Sequence, residues 1–389
     1  MNYLSRIGLV HFLLNRQYPI FIRFIFSTLF FLTSFLITLD YKLSFLFFKR
    51  VLLRNDLKSE SRRLVWILKR KILVIPEKTD LMFDFCNGLN LEEFAILKSN
   101  FLKSINSFDN VYSEIDLLKI FAYEINYFKD SKSNSIPFEK FKNQYFKVKK
   151  SLTHNKINRK NLILKINKRK FSKKYHGISA IKAQKVLIDI NHLFKKNNFE
   201  WFPISGTFLG FIRQNSFLSH DIDIDIGLIS NNISFENLKN VLEKSHIFEI
   251  SKIEYQRSFF NKNDYLNRPT FARVIHKNGI NVDLYLHFKE GDFLYHGTSS
   301  ILWKNTSFDL CNFKIYGLNI KVPSNSDLYL SETYGDWVNE KINYNFHRDM
   351  LSIRGAQNYL GLEYLLRRKL YCGKDSSEQI SMLEELILK

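Results

Sequence analysis

The hydrophobic pattern changes period several times along the chain, and the sharpest change falls near residue 220. From Asp221 to Ile226 acid and isoleucine alternate one for one: Asp221, Ile222, Asp223, Ile224, Asp225, Ile226. A period of two belongs to an extended strand, in which residues i, i+2 and i+4 share a face. The pattern predicts a strand that buries three isoleucines and projects three carboxylates from its other side. Just upstream, WFPI reads as a short strand starting at Trp201, Ser205-Gly206-Thr207 as a tight turn, and FLGFIR as the first turns of a helix.

Elsewhere the helical period dominates the first half of the chain. Residues 1–50 are strongly apolar, but the longest uncharged run, Phe24 to Leu39, is shorter than the roughly 20 residues a bilayer span needs. Arg16, Arg23, Ser27, Ser34, Thr38 and Lys42 recur at helical spacing as one narrow polar stripe, which suits a helix lying in a membrane interface. A single-pass signal anchor and a buried helix are the rival readings. No small-residue cleavage site follows the apolar run. Residues 51–130, with SRRLVWILKRKILVI and LEEFAILKSNFLKSI, predict further helices.

From Ser131 the composition shifts to SKSNSIP, a loop signal, and 131–175 reads as a basic linker. Gly177 to Asn198 predicts a helix that leads into the Trp201 strand. Ser230-Asn231-Asn232 ends the acidic strand, and Phe235 to Lys244 predicts a helix. FEISKIEYQ and FARVIHK read as strands, and Asn278-Gly279 signals a hairpin returning through INVDLYLHF. FKIYGLNIKVPSNSDLYLSETYGDW predicts a hairpin, then a short helix capped by Asn325 or Ser326 and ended by Gly335. The chain from Met350 reads as scaffolding helices. The expected division is an apolar segment (1–50), a helical region (51–130), the linker (131–175), a catalytic domain (176–348) and C-terminal helices (349–389).

Charge narrows the function. The 389 residues hold 58 Lys+Arg against 38 Asp+Glu, a formal net charge of +20. Such a field attracts polyanions: nucleic acid, anionic lipid or phosphorylated substrates. Residues 139–174 alone carry 14 Lys/Arg and one acid. That run reads as a solvated linker, an anionic-lipid contact or a nucleic-acid contact. No helix-turn-helix, zinc-finger or aromatic RNA-binding signature accompanies it. Three cysteines, Cys86, Cys311 and Cys372, are too widely spaced for a zinc motif and suggest a reducing compartment.

Three carboxylates on one strand face repel unless a cation sits between them, and Mg²⁺ or Mn²⁺ prefers such oxygen ligands. An edge strand with a wet acidic face is the alternative. A Gly/Ser turn opening a helix presents free N–H groups suited to phosphate, and Arg213 adds a forked contact to the same anion. Asp283, between Val282 and Leu284, reads either as a rim acid on a half-buried strand or as a further metal or base carboxylate.

These motifs in this order resemble the nucleotidyltransferase superfold and, more narrowly, the LicD/fukutin family. GTFLGFIRQNSFLSHDIDIDIG is similar to that family's G-T-x-L-G-x-x-R helix and acidic strand, NVDLYLHF to its next acidic strand, and VPSNSDLYLSETYGDW to its closing signature. The likeness runs from about Gly177 to Arg348. The His220-Asp221 start of the acid strand is closer to the fukutin-related branch than to choline-phosphate transferases.

The resemblance implies an α/β (α+β) fold, a nucleotidyltransferase-like mixed sheet flanked by helices, and the hydrophobic pattern adds a helical apolar N-terminal region. It implies metal-dependent transfer of a ribitol, glycerol or choline phosphate from a CDP-activated donor to a glycan or glycolipid hydroxyl. Asp223, Asp225 and Asp283 would be catalytic, and with Asp221 would hold Mg²⁺ or Mn²⁺. Ser205, Gly206, Thr207, Arg213 and His220 would bind the donor phosphates, and Tyr334, Gly335 and Trp337 would wall the acceptor. A nucleotidyltransferase moving NMP and a non-catalytic polyanion-binding protein are the alternatives. The expected setting is the cytoplasmic face of an inner membrane with an anionic surface as partner, and no specific nucleic-acid target.

Overall fold

The computed structural model describes residues 18–54, 60, 63, 89–105, 111–128, 136–154, 179–230, 233–259, 265–341 and 344–388. The chain divides into two compact units, Met1–Lys170 with Leu366–Gly373, and Phe171–Leu365 with Lys374–Lys389.

The first unit is helical where it is described. Its helices are α1 (Ile20–Thr38), α2 (Tyr41–Arg54), α3 (Leu91–Ile105), α4 (Val111–Phe128) and α5 (Ile136–His154). The predicted helix at 91–105 is α3, whereas most of SRRLVWILKRKILVI lies outside the described residues. Helix α5 takes up the first part of the stretch expected to be a linker. Phe141, Tyr145, Val148 and Leu152 recur at three- and four-residue spacing and are buried, so an apolar stripe underlies the lysines. The expected loop at 131–135 and the rest of the basic run lie outside the described residues. Buried charges in this unit are paired: Arg50 with Glu60 and Glu93, both at 2.7 Å, and Arg367 with Asp116 at 2.8 Å. No helix among the described residues is long and apolar enough to cross a membrane.

The second unit is α+β: a mixed sheet with helices packed on it. Helix α6 (Ala180–Lys196) buries Ala183, Val186, Leu187, Ile190 and Phe194. It leads into β1 (Trp201–Pro203), α7 (Ser205–Gln214), β2 (Asp223–Ile229) and α8 (Phe235–Lys244). Strands β3 (Phe248–Phe259), β4 (Tyr265–His276), β5 (Asn281–Glu290), β6 (Phe293–Gly297) and β7 (Ile301–Thr306) follow. Next come the hairpin of β8 (Leu310–Ile315) and β9 (Leu318–Pro323), helices α9 (Ser326–Tyr334) and α10 (Phe346–Asp349), and β10 (Ile353–Gly355). Helices α11 (Tyr359–Cys372) and α12 (Ser377–Ile387) close the chain. Strands β6, β7 and β10 extend the predicted set.

Strand β2 is the hinge of the sheet. It pairs β1 antiparallel on one side and β5 parallel on the other, and β5 in turn pairs β4 antiparallel. The β2–β5 register sets Asp225 opposite Asp283 and Asp223 opposite Asn281. Adjacent residues of neighbouring strands share a face, so Asp223, Asp225 and Asp283 project from the same side. On the opposite side Ile224, Ile226 and Leu228 are fully buried with Val282, Leu284 and Phe202 in the main core.

Candidate functional site

The site begins where α7 meets β2. Ile204 N–H donates to the Asp225 carbonyl at 3.1 Å, and Asp225 N–H donates to Thr207 Oγ1 at 3.0 Å. These two bonds fix the start of the helix against the acidic strand. Thr207 is therefore fully buried as a strut between the two elements, not turned toward a ligand. Ser205, expected to share in the phosphate turn, opens the helix at φ +50°, and its backbone hydrogen-bonds the buried Tyr329 hydroxyl.

Gly206 lies directly under the Asp221 carboxylate. A Cβ there would lie 2.8 Å from Asp221 Oδ2, so only glycine lets that carboxylate close over the helix start. Gly210 meets a different demand: a Cβ would fall 2.5 Å from the Ser216 carbonyl, where the chain folds back along the helix. Asp221 precedes β2 rather than lying on it. Its Oδ1 accepts from Ile222 N–H at 3.1 Å, while Oδ2 is buried without a hydrogen-bond partner.

The acids gather as the alternation predicted, with one feature it did not. Arg273, from β4, stands opposite Asp283 in the β4–β5 register. Its Nε and Nη2 donate to the two oxygens of Asp283, each at 2.5 Å, and Nη2 also reaches Asp223 Oδ2 at 3.3 Å. The protein cation compensating Asp283 is thus this guanidinium, and Asp283 is buried. It is not the rim acid that was one of its two readings. Among the described residues no three His, Cys, Asp or Glu side chains are gathered in ligating geometry for an ion.

One arginine does not neutralise four carboxylates. Burial, then the neighbouring Asp223 charge, pushes Asp221 up to about 7 against a partial pull from the Ile222 N–H. Burial and the charges of Asp223, Asp283 and Asp221 hold Asp225 well above the usual carboxylate range, Arg273 only partly offsetting them. Burial would lower the Arg273 pKa, but Asp283 and Asp223 more than reverse that. Tyr285, two residues along the face from Asp283, is held well above the usual phenol by burial and by Asp283 and Asp225.

A cavity of about 150 Å³ opens beside this cluster. Gly206, Arg213, His220, Asp221, Tyr334 and Trp337 line it, with Lys341 and Tyr344. Of the residues expected to bind phosphate, Gly206, Arg213 and His220 therefore share one pocket with Tyr334 and Trp337, whereas Ser205 and Thr207 do not line it. Arg213 Nη1 donates to the Trp337 carbonyl at 3.4 Å, and Trp337 Nε1 to Asp327 Oδ1 at 3.0 Å. Gly335 does not line the cavity. It ends α9 at φ +74°, its N–H donating to the Ser331 carbonyl. The acids fit a divalent cation on two counts: unneutralised charge and the orphaned Asp221 oxygen.

Arg273 is the functional residue that sequence reasoning missed. Its signal was the hairpin: the turn runs through three residues, Lys277 to Gly279, with His276 N–H donating to the Ile280 carbonyl at 2.9 Å. That loop length sets Arg273 against Asp283. A two-residue loop would have shifted the register by one and turned Arg273 to the other face.

No curated protein matches the chain. Residues 198–325, which hold β1, the α7 start, all four acids and Arg273, match the family model described as LicD/FKTN/FKRP, nucleotidyltransferase domain. Tyr334 and Trp337 lie beyond the matched range. This segment is thus similar to the LicD family domain, and the match supports a transferase with a phosphotransferase-like function in general.

Proposed function

We propose that this protein transfers a phospho-alcohol (ribitol, glycerol or choline phosphate) from a CDP-activated donor to a hydroxyl of a cell-surface glycan, and that transfer depends on a divalent cation. The observation that carries the reading is the in-register cluster of Asp223, Asp225 and Asp283 beside the cavity of Gly206 and Arg213. The His220-Asp221 start of the strand favours the fukutin-related branch of the family.

In the proposed reaction the acceptor oxygen attacks the phosphorus that bears the alcohol. The P–O bond to the other phosphate breaks, CMP leaves, and the hydroxyl proton is lost. Such a transfer needs charge neutralisation and in-line positioning more than a protein nucleophile. Asp223 and Asp225, with Asp221, would hold Mg²⁺ or Mn²⁺, which when bound offsets the negative charge of the diphosphate. Arg273 commits both oxygens of Asp283 and so holds that carboxylate in place. Arg213 and His220 would contact donor phosphate, and Tyr334 and Trp337 would exclude water along the cavity wall.

Purified protein incubated with CDP-ribitol, CDP-glycerol or CDP-choline, a glycan acceptor and Mg²⁺ or Mn²⁺ tests the reading. Acceptor-dependent CMP release that disappears in Asp223→Asn and Asp225→Asn supports it. The family model's own description favours one competitor, transfer of a nucleotide, and pyrophosphate release from CTP would establish that instead. Polyanion binding unaffected by those two substitutions, with no nucleotide released, would overturn both enzymatic readings.

A further inference from the structure

The hairpin of α1 and α2 leaves a large apolar surface uncovered. The two helices pack antiparallel, with Phe30 against Phe47 at 6.4 Å and Arg23 Nη1 donating to the Leu52 carbonyl at 3.1 Å. Buried with Leu43, Phe47 and Val51 are three serines, Ser27, Ser34 and Ser44. Each bonds a carbonyl of its own helix, Ser27 to Arg23 at 2.7 Å, Ser34 to Phe31 at 3.1 Å and Ser44 to Asp40 at 2.8 Å. The outside is apolar, with Phe21 72%, Leu36 77% and Leu39 78% exposed, and Phe24, Leu29 and Leu32 open beside them. A helix pair in water would turn a polar face outward instead.

Hydrocarbon makes this arrangement favourable. Small hydroxyl residues at the helix–helix contact and internally satisfied backbone groups are what lipid-embedded helices need. The charges fit the same partner. Asp40 is the only acid between 18 and 54, and its Oδ1 is engaged with Leu43 N–H at 3.0 Å. Lys42 and Lys49 are exposed. A second copy of the chain paired through this face would bring those like charges together about a two-fold axis, whereas anionic headgroups complement them.

We infer that the hairpin Ile20–Arg54 is a lipid-docking element that lies in the interface of an anionic bilayer. Its apolar exterior rests among the acyl chains, and Lys42 and Lys49 reach the headgroups. The inference goes beyond the proposed reaction and stands without it.

Vesicle co-sedimentation of the full chain tests it, with phosphatidylcholine vesicles and with vesicles also containing phosphatidylglycerol. The wild type should bind the mixed vesicles, and Lys42→Glu with Lys49→Glu should weaken that binding about tenfold or more. Replacing Phe21, Phe24, Leu32 and Leu36 by Gln should abolish it; those side chains are exposed, so the fold should survive, as circular dichroism would verify. Phe24→Trp supplies a readout independent of that variant: brominated lipids should quench its added fluorescence. Wild-type protein left in the supernatant with both vesicle types would overturn the inference. So would an oligomer in lipid-free buffer that the Gln variant converts to monomer while vesicles still fail to bind.

Discussion

At the scale of single residues the site turns on one glycine and one arginine. Gly206→Ala would drive a methyl to within 2.8 Å of Asp221 Oδ2, forcing that carboxylate outward. The helix start is otherwise compatible with alanine, so the cost should fall on ligand binding rather than folding. Isothermal titration with Mn²⁺ or a CDP-alcohol should show affinity reduced about tenfold or more, with a melting temperature within a few degrees of wild type. Arg273→Gln has the opposite profile. It leaves Asp283 buried with no forked partner and Asp223 with one contact fewer. Removing one member of such a pair leaves an uncompensated charge, costing on the order of 2–3 kcal/mol here because the guanidinium keeps some solvent access. Urea unfolding would measure it; an unchanged midpoint would mean the guanidinium does not compensate Asp283 in solution. Asp223, Asp225, Ile224 and Ile226 were legible in the sequence because a strict period of two sets one face against the other; Ile222, expected to be buried with them, precedes the strand and is exposed. Arg273 was not, since an isolated arginine in FARVIHK gains its meaning only from a partner ten residues away.

At the scale of elements, local signals worked where the chain's own chemistry fixes the backbone. Asn325, one of the two caps the SNSDLYLSETYG pattern offered, caps α9 by accepting Leu328 N–H at 3.0 Å, and Gly335 ends it as that pattern predicted. Strand β10 escaped because its partner is distant: it is three residues long and exists only by pairing Ile353–Gly355 with Trp303–Ile301. Helix α5 escaped for another reason, as its lysines dominated a stripe that buries Phe141 and Tyr145. Because α9 leads directly to Tyr334 and Trp337, its cap supports one wall of the cavity. Asn325→Ala should lose about 1 kcal/mol and loosen that wall. Thermal melting should show the loss, and KM for the donor should rise while kcat changes little. A rise confined to kcat would mean that α9 acts on the chemistry rather than on binding.

At the scale of the whole molecule, acid stability is set by two buried clusters that pull in opposite directions. His287 and His296 stack at 4.2 Å beside Trp303, with His287 Nε2 and His296 Nδ1 buried and unpaired. Burial pushes His287 down to about 3, and burial with the neighbouring His287 holds His296 well below its ordinary range. Both are neutral in the fold, so their contribution is complete above the unfolded value of 6.5 and is lost as pH falls toward 3. Asp221, raised from 3.8 to about 7, and the raised Asp225 behave oppositely. Their protonated forms suit the metal-free fold, so their contribution is present at low pH and is lost as pH rises toward 7. Between about pH 4 and 6.5 the two clusters offset each other, and the metal-free protein should show a shallow dependence. A divalent ion on the carboxylates would cancel the acid contribution and leave the histidines exposed. In millimolar Mg²⁺, unfolding free energy should then fall steeply on acidification, up to roughly 1.4 kcal/mol per pH unit for each histidine plus the loss of bound metal. His287→Gln with His296→Gln should remove the histidine part while retaining the metal part, measured by urea titrations at several pH values. Identical profiles with and without Mg²⁺ would show that the acid cluster holds no ion.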